Sequence, residues 1–159
     1  MDYYLKTIIR PATDSDIDYI ASMIARLKTL NEEFDESFKV VDNLISVAKT
    51  YIEESLRSDN VIVLVADVGG QVVGFIRVEL RSRIFYKPTL KAVITEIYVK
   101  PSYRRRGVGR LLVEAAAEEA RKRGASLIAA EFPLANVMAK TFYEKLGFKE
   151  LQVEYFREI

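Results

Sequence analysis

Neither cysteine nor histidine occurs anywhere in the 159 residues. Without cysteine there can be no disulfide, no thiolate nucleophile and no thiolate-rich zinc site. Without histidine the commonest metal ligand and the usual general base are missing as well. No metal is therefore expected, and acid and base work falls to Glu, Asp, Tyr, Lys and ordered water. Charge of one sign is also lacking: 24 basic against 23 acidic side chains leave a net +1. Such a chain has no overall field to draw in nucleic acid, so any anion binding must come from a local cluster. No apolar run approaches membrane-spanning length, and MDYYLKTIIRP lacks the apolar stretch of a secretory signal. A cytoplasmic protein without a membrane partner is the expectation. Linkers, repeats and low-complexity tracts are absent too, and the length suits one core, which predicts a single domain over residues 1–159.

What is present is patterned. Half the residues are hydrophobic and 30% charged, the balance of a globular chain. Tyr4 to Ile9 reads as a strand closed by Pro11, with Thr13 a helix cap and Asp16 three residues on. Ile17, Ile20, Ala21, Ile24 and Leu27 mark one helical face; Val41, Leu44, Ile45, Ala48, Tyr51, Ile52 and Leu56 mark a second. From Asn60 the period changes. VIVLVAD and QVVGFIRVEL are strands joined by a tight turn at Val68, Gly69 and Gly70, and Lys91 to Val99 is a third. Val108 to Arg123 returns to helical spacing, with Val108, Leu111, Leu112, Ala115 and Ala116 inward, and Gly124 stops it. SLIAAEF then reads as a strand, Asn136 to Leu146 as a helix closed by Gly147, and Glu150 to Arg157 as a last strand. The order predicts an α+β fold, layered and neither doubly wound nor a bundle.

The stretch YRRRGVGRLL joins a strand to a helix. Gly107 and Gly109 lie where unpaired backbone N–H groups and the positive end of a helix dipole face outward, a turn suited to phosphate, with arginines alongside. A P-loop would need a longer G-x-x-x-x-G-K-[ST], and a dinucleotide fold a third glycine and a following acidic residue; both are missing. Instead R-x-x-G-x-G at Arg104 to Gly109 is preceded by ITEIYVKP and followed some thirty residues later by N-x-x-A-x-x-F-Y-x-K-x-G-F, Asn136 to Phe148. With these motifs the chain closely resembles the GNAT superfamily of acyl-CoA N-acyltransferases. IRPATDSD looks like that family's opening strand and helix, and ADVGGQVVGFIRV like its central hairpin.

The resemblance implies a mostly antiparallel twisted sheet flanked by about four helices and splayed between its fourth and fifth strands. It implies acetyl-CoA as cofactor, with backbone amides of Arg105, Arg106, Gly107, Val108, Gly109 and Arg110 around the pyrophosphate and Arg104 opening the motif. Ile97, Tyr98 and Val99 would form the strand edge along which the pantetheine arm lies, Asn136 would bond that arm, and Tyr143 would lie near the sulfur.

Acyl transfer to an amine needs a proton acceptor, a polarised thioester carbonyl and a protonated leaving thiolate. A primary amine with a pKa of about 10 must lose its proton to a carboxylate, directly or through water. Glu96, in the strand beside the thioester, and Glu131, five residues before Asn136 where some N-terminal acetyltransferases of the family carry a base, both qualify. Backbone N–H of the Ile97 to Val99 strand can meet the oxyanion, and Tyr143 can protonate the thiolate. Glu32, Glu33, Asp35 and Glu36 fall where the resemblance puts one wall of the acceptor groove, favouring a cationic amine: a small amine, a lysine or a peptide N-terminus. Two other functions stand beside this one: a GNAT-like module that holds acyl-CoA without catalysis, and nucleic-acid binding through Arg104 to Arg110, for which no aromatic stacking motif is present. The chain ends soon after the last predicted strand, so the further final strand that some members of the family use is expected to be absent or supplied by a neighbouring subunit, and a homodimer is an expectation on that ground.

Overall fold

The computed structural model describes residues 6–159. β1 (Thr7–Pro11) leads through a short turn to α1 (Ile17–Phe34) and α2 (Leu44–Arg57). β2 (Val61–Val68), β3 (Gln71–Ser82) and β4 (Leu90–Val99) follow as a meander, then α3 (Val108–Lys122), β5 (Leu127–Ala130) and α4 (Val137–Lys145). Tyr4 and Leu5 of the first predicted strand lie outside the described residues. The five strands form one sheet in chain order, antiparallel from β1 to β4 and parallel between β4 and β5.

Both faces of this sheet are covered, which is why VIVLVA reads as an unbroken apolar run rather than an alternation. Its even residues Ile62 and Leu64, with Val73, Ile76, Val78, Ala92 and Ile94, pack against α3 and α4. Its odd residues Val63 and Val65, with Val72, Phe75 and Tyr98, pack against Ile20, Ile24, Ala48 and Ile52 of α1 and α2. The helix entry predicted at Thr13 is present: the Thr13 N–H donates to Asp16 Oδ2 at 2.8 Å. Asp16 is buried and accepts from Arg10 at 2.7 and 3.0 Å, and Arg10 also reaches Asp67 on β2 at 3.1 Å. This network ties β1, α1 and β2 together.

Three expectations are corrected. The second helix begins at Leu44, so Val41 lies before it, and both Val41 and Ile45 of its expected apolar face are exposed. In α3, Leu111 is 45% exposed, whereas Val113 and Ala120 join Val108, Leu112 and Ala116 inside. The buried stripe is rotated toward Val113 relative to the one the apolar pattern suggested, because α3 lies across β2, β3 and β4. Glu150 to Arg157 forms no strand; its residues are exposed and without regular structure. Leu151, Val153 and Tyr155 do alternate as strand residues would, but alternation makes a strand only where a neighbouring edge receives the hydrogen bonds.

Candidate functional site

Four elements converge where β4 and β5 part. Their parallel pairing runs from Lys91–Leu127 to Ile94–Ala130, and the Glu131 N–H closes it on the Ile94 carbonyl at 3.1 Å. β4 continues to Val99 with nothing of β5 beside it. Arg77 of β3 pairs with Glu96 while its neighbour Val78 pairs with Ile94, so Thr95 is an extra residue in β4. Such a bulge re-aims the strand beyond it. The Lys100 N–H turns toward β3, donating to the Val73 carbonyl at 2.8 Å. By the alternation of a strand the backbone groups of Val99 and Ile97 point the other way, into the fork.

At the end of this fork the chain turns into α3. Arg105 (φ 60°) and Gly107 (φ 78°) take the left-handed conformation, and Gly107 is the residue before the first turn of the helix. No side chain caps that turn, so its first N–H groups are left for solvent or a ligand. Left-handed Gly107 followed by helical Val108 makes the concave run of amides that anions occupy. The two glycines have different causes. A Cβ on Gly107 would meet nothing within 4 Å, so the backbone conformation alone favours glycine there. A Cβ on Gly109 would come within 3.2 Å of the Phe142 ring of α4, so that glycine exists for the close seating of α4 on α3.

The arginines are not equivalent either. Arg104 is committed locally: its Nε–H donates to the Val99 carbonyl at 2.8 Å and its guanidinium lies 5.2 Å from the centre of the Tyr98 ring. It braces the end of β4 against the loop. Arg106 lies over Tyr103 at 5.7 Å, and Arg105 and Arg110 are exposed beside the helix start.

On the α3 and α4 face of the fork, Tyr143 is 5% exposed. Its ring stacks on Phe132 at 5.5 Å and touches Phe142 and Phe148 at 5.0 and 5.1 Å. Burial in this apolar surround pushes the phenol pKa well above its ordinary value, so the hydroxyl stays a proton donor. Asn136 caps α4 by accepting from the Ala139 N–H at 3.0 Å. The cap uses the amide oxygen and leaves its NH2 as a donor.

The two carboxylates lie on the opposite face. Residues 77, 79 and 81 of β3 alternate onto the α1 and α2 side, and with Lys28, Glu96 and Glu131 they form a ladder of alternating charge. Its steps are Lys28 to Glu96 at 3.2 Å, Glu96 to Arg77 at 4.0 Å, Arg77 to Glu79 at 3.1 Å, Glu79 to Arg81 at 3.5 Å and Arg81 to Glu131 at 2.6 Å. Glu131, at the open end, is more than half exposed; Glu96, at the other, is 5% exposed. The Tyr51 hydroxyl donates to Glu96, lying 2.9 and 3.1 Å from its two oxygens, and burial together with the Glu96 charge pushes its pKa up. Arg77 is held by Ser55 at 2.8 Å and Thr95 at 2.9 Å, with its guanidinium 4.2 Å from the Tyr51 ring centre. Glu96 and Glu131 thus lie on the α1 and α2 face, Tyr143 lies on the other, and Ile97 and Val99 lie on the length of β4 that β5 does not pair.

Sequence reasoning did not find Lys28, Tyr51 and Arg77. Tyr51 sat in an apolar helical stripe, and the polar residues of β3 at alternate positions were the one available signal. Of the acidic residues proposed as an acceptor wall, Asp35 turns its carboxylate onto the N–H and hydroxyl of Ser37 at 2.9 and 2.7 Å. Those bonds hold its pKa below the ordinary value. Glu33 lines an open depression of about 470 Å³ with Arg26, Leu30 and Ile45, on the side of α1 away from the sheet.

The same fold occurs in solved structures. A transcriptional regulator from Bacillus halodurans C-125 superposes with a TM-score of 0.78 over 97% of this chain and 100% of that one at 26% identity. An aminoglycoside N-acetyltransferase, AAC(6')-Iy, in complex with CoA superposes with a TM-score of 0.81 over 99% and 98% at 19% identity. The family model described as the acetyltransferase (GNAT) family matches residues 27–148. The chain belongs to that family, and its fork and loop are the family's fold in this sequence. An uncharacterized N-acetyltransferase of Methanocaldococcus jannaschii is 33% identical over 67% of this chain and 47% of its own length. An N-alpha-acetyltransferase of Sulfurisphaera tokodaii is 33% identical over 65% of each chain. The chain thus spans about half to two thirds of the length of the curated relatives it matches.

Proposed function

We propose that this chain is an acetyl-CoA-dependent N-acetyltransferase that passes an acetyl group to a primary amine by direct attack, both substrates being bound together. The observation that carries the reading is the fork: a length of β4 that β5 leaves unpaired, where only the Val99 carbonyl has a partner, Arg104, ending at an uncapped helix start with a left-handed glycine. This chemistry of donors fits coenzyme A. The free amides from Arg105 to Arg110 suit a pyrophosphate, and the open edge at Ile97 and Val99 suits the amide groups of a pantetheine arm as a strand would. The resemblance of the loop and of AAC(6')-Iy, a protein solved with CoA, supports the same cofactor.

When bound, acetyl-CoA supplies an activated acyl thioester. The residues of the chain do the rest. Glu131, accessible at the mouth, accepts the proton of the incoming amine. Glu96, enclosed by Tyr51, Arg77 and Lys28, holds negative charge on the acceptor face and is the second candidate for that proton. The Ile97 N–H donates to the carbonyl oxygen as charge develops on it. The Tyr143 hydroxyl donates to the departing sulfur, and the Asn136 NH2 holds the arm that carries it. A peptide N-terminus is the acceptor class that two relatives support, the Sulfurisphaera protein and the [ribosomal protein bS18]-alanine N-acetyltransferase of Escherichia coli, 38% identical over 40% of this chain.

Consumption of acetyl-CoA against a panel of peptides, polyamines and aminoglycosides tests the reading. Transfer to at least one amine, reduced about 10²-fold or more in kcat/KM by Glu131→Gln, is expected. Absence of transfer to every amine would refute it.

A further inference from the structure

Lys28 stands in a place that a substrate amine would need. It projects from α1 to within 3.2 Å of Glu96 Oε1, with its side chain only 36% exposed. Glu96 immediately precedes Ile97, whose N–H faces the fork, so the two backbone positions are separated by one strand residue, about 3.3 Å of rise. The Lys28 amine is therefore held on the acceptor face by a buried carboxylate, beside the strand position at which the acyl carbonyl would be polarised. Tyr51 and Arg77 keep that carboxylate from turning away: the first donates to it and the second lies 4.0 Å behind it. No other lysine among the described residues forms an ion pair with Glu96 or Glu131.

We propose that Lys28 is an internal acceptor, acetylated by the chain's own site when acetyl-CoA is bound and no external amine has displaced it. This rests on the transferase reading given above. In the step, Glu96 takes one proton from the Lys28 ammonium. The neutral nitrogen attacks the thioester carbon, the C–N bond forms and the C–S bond breaks. A second proton leaves the nitrogen as the sulfur departs, so that one proton ends on the thiol of coenzyme A and one is released to solvent through Glu96. The product is a neutral amide, which no longer neutralises Glu96. Acetylation thereby frees this carboxylate for a cationic acceptor.

The test compares two reagents on the purified, full-length chain and reads the modified lysine by peptide mass mapping. With acetic anhydride, which ranks amines by accessibility, Lys28 is expected to react more slowly than the exposed Lys39, Lys122 and Lys149. With acetyl-CoA the order is expected to invert, Lys28 gaining its acetyl group at least about tenfold faster than those three, since it is already positioned. Glu96→Gln, which keeps the shape and removes the proton acceptor, is expected to slow Lys28 acetylation about 10²-fold without changing the anhydride ranking of the exposed lysines. Lys28 acetylated no faster than the exposed lysines overturns the inference. A parallel assay with external amines separates the two claims: transfer to them with Lys28 unmodified sinks this inference alone, and transfer to nothing sinks the transferase reading with it.

Discussion

Tyr143 is a buried phenol and Tyr51 a half-buried one on the opposite face of the sheet, and their surroundings separate their roles. Tyr51 spends its proton on Glu96, 2.9 Å away, so it orients a carboxylate. Tyr143 has aromatic rings on its flanks and, among the described residues, no carboxylate on its hydroxyl, which leaves that proton for a ligand. Tyr143→Phe keeps the ring and its stacking. It is expected to lower kcat about 10²-fold while coenzyme A binding, measured by calorimetry, is unchanged. Full activity would reduce this tyrosine to a packed aromatic. A second prediction at this scale concerns stability. Arg10 holds the buried Asp16 carboxylate below its ordinary pKa of 3.8, a lowering that burial partly opposes. A lowered folded value stabilises the protein above the ordinary carboxylate range, and that contribution is lost as pH falls through the folded value. Asp16→Asn is expected to cost about 1–3 kcal/mol at pH 7, toward the lower end because Arg10 is one-third exposed, in urea melts. The gap between variant and wild type should begin to narrow below about pH 3.8 and close only as pH falls through the lowered folded value. A gap that persists there would contradict the ion pair as its source.

At the scale of elements, Gly109 permits the close seating of α4 on α3. Gly109→Val drives a branched side chain into the Phe142 ring, which already lies within 3.2 Å of a Cβ built there. A loss of about 1–3 kcal/mol is expected, with weaker coenzyme A binding, because Phe142 carries Tyr143 beside it. Gly107→Ala meets open space and is expected to cost only its left-handed backbone, about 1–2 kcal/mol. Equal effects of the two on stability and binding would refute the separate causes assigned to them. Helices and strands were legible where periodicity is strong and turns are marked, as at α3 with Gly124 or the β2–β3 hairpin with Gly69 and Gly70. The last segment was misread because Leu151, Val153 and Tyr155 carry strand alternation without an edge to pair with. Leu111 was misassigned because an apolar pattern defines a stripe only to within a residue or so, and the sheet beneath decides which side of it is covered. The roles expected of the motif residues came from the resemblance of R-x-x-G-x-G and N-x-x-A-x-x-F-Y-x-K-x-G-F to the family's motifs. Lys28, Tyr51 and Arg77 were not found, since they meet Glu96 across 68, 45 and 19 positions of chain, a juxtaposition that no local pattern encodes.

For the whole molecule, the sheet divides the chemistry between its faces. Carboxylates and the charge ladder lie toward α1 and α2, where an amine would enter; Tyr143 and the uncapped start of α3 lie toward the other side, where a nucleotide thioester would be held. The end of the β4–β5 pairing lies between them. A structure of the chain with coenzyme A tests this most directly. The account predicts the pyrophosphate on the amides of Arg105 to Arg110 and the pantetheine arm along Ile97 to Val99, with its sulfur beside Tyr143. A nucleotide held elsewhere, or a β4 edge left empty with the ligand bound, would contradict it.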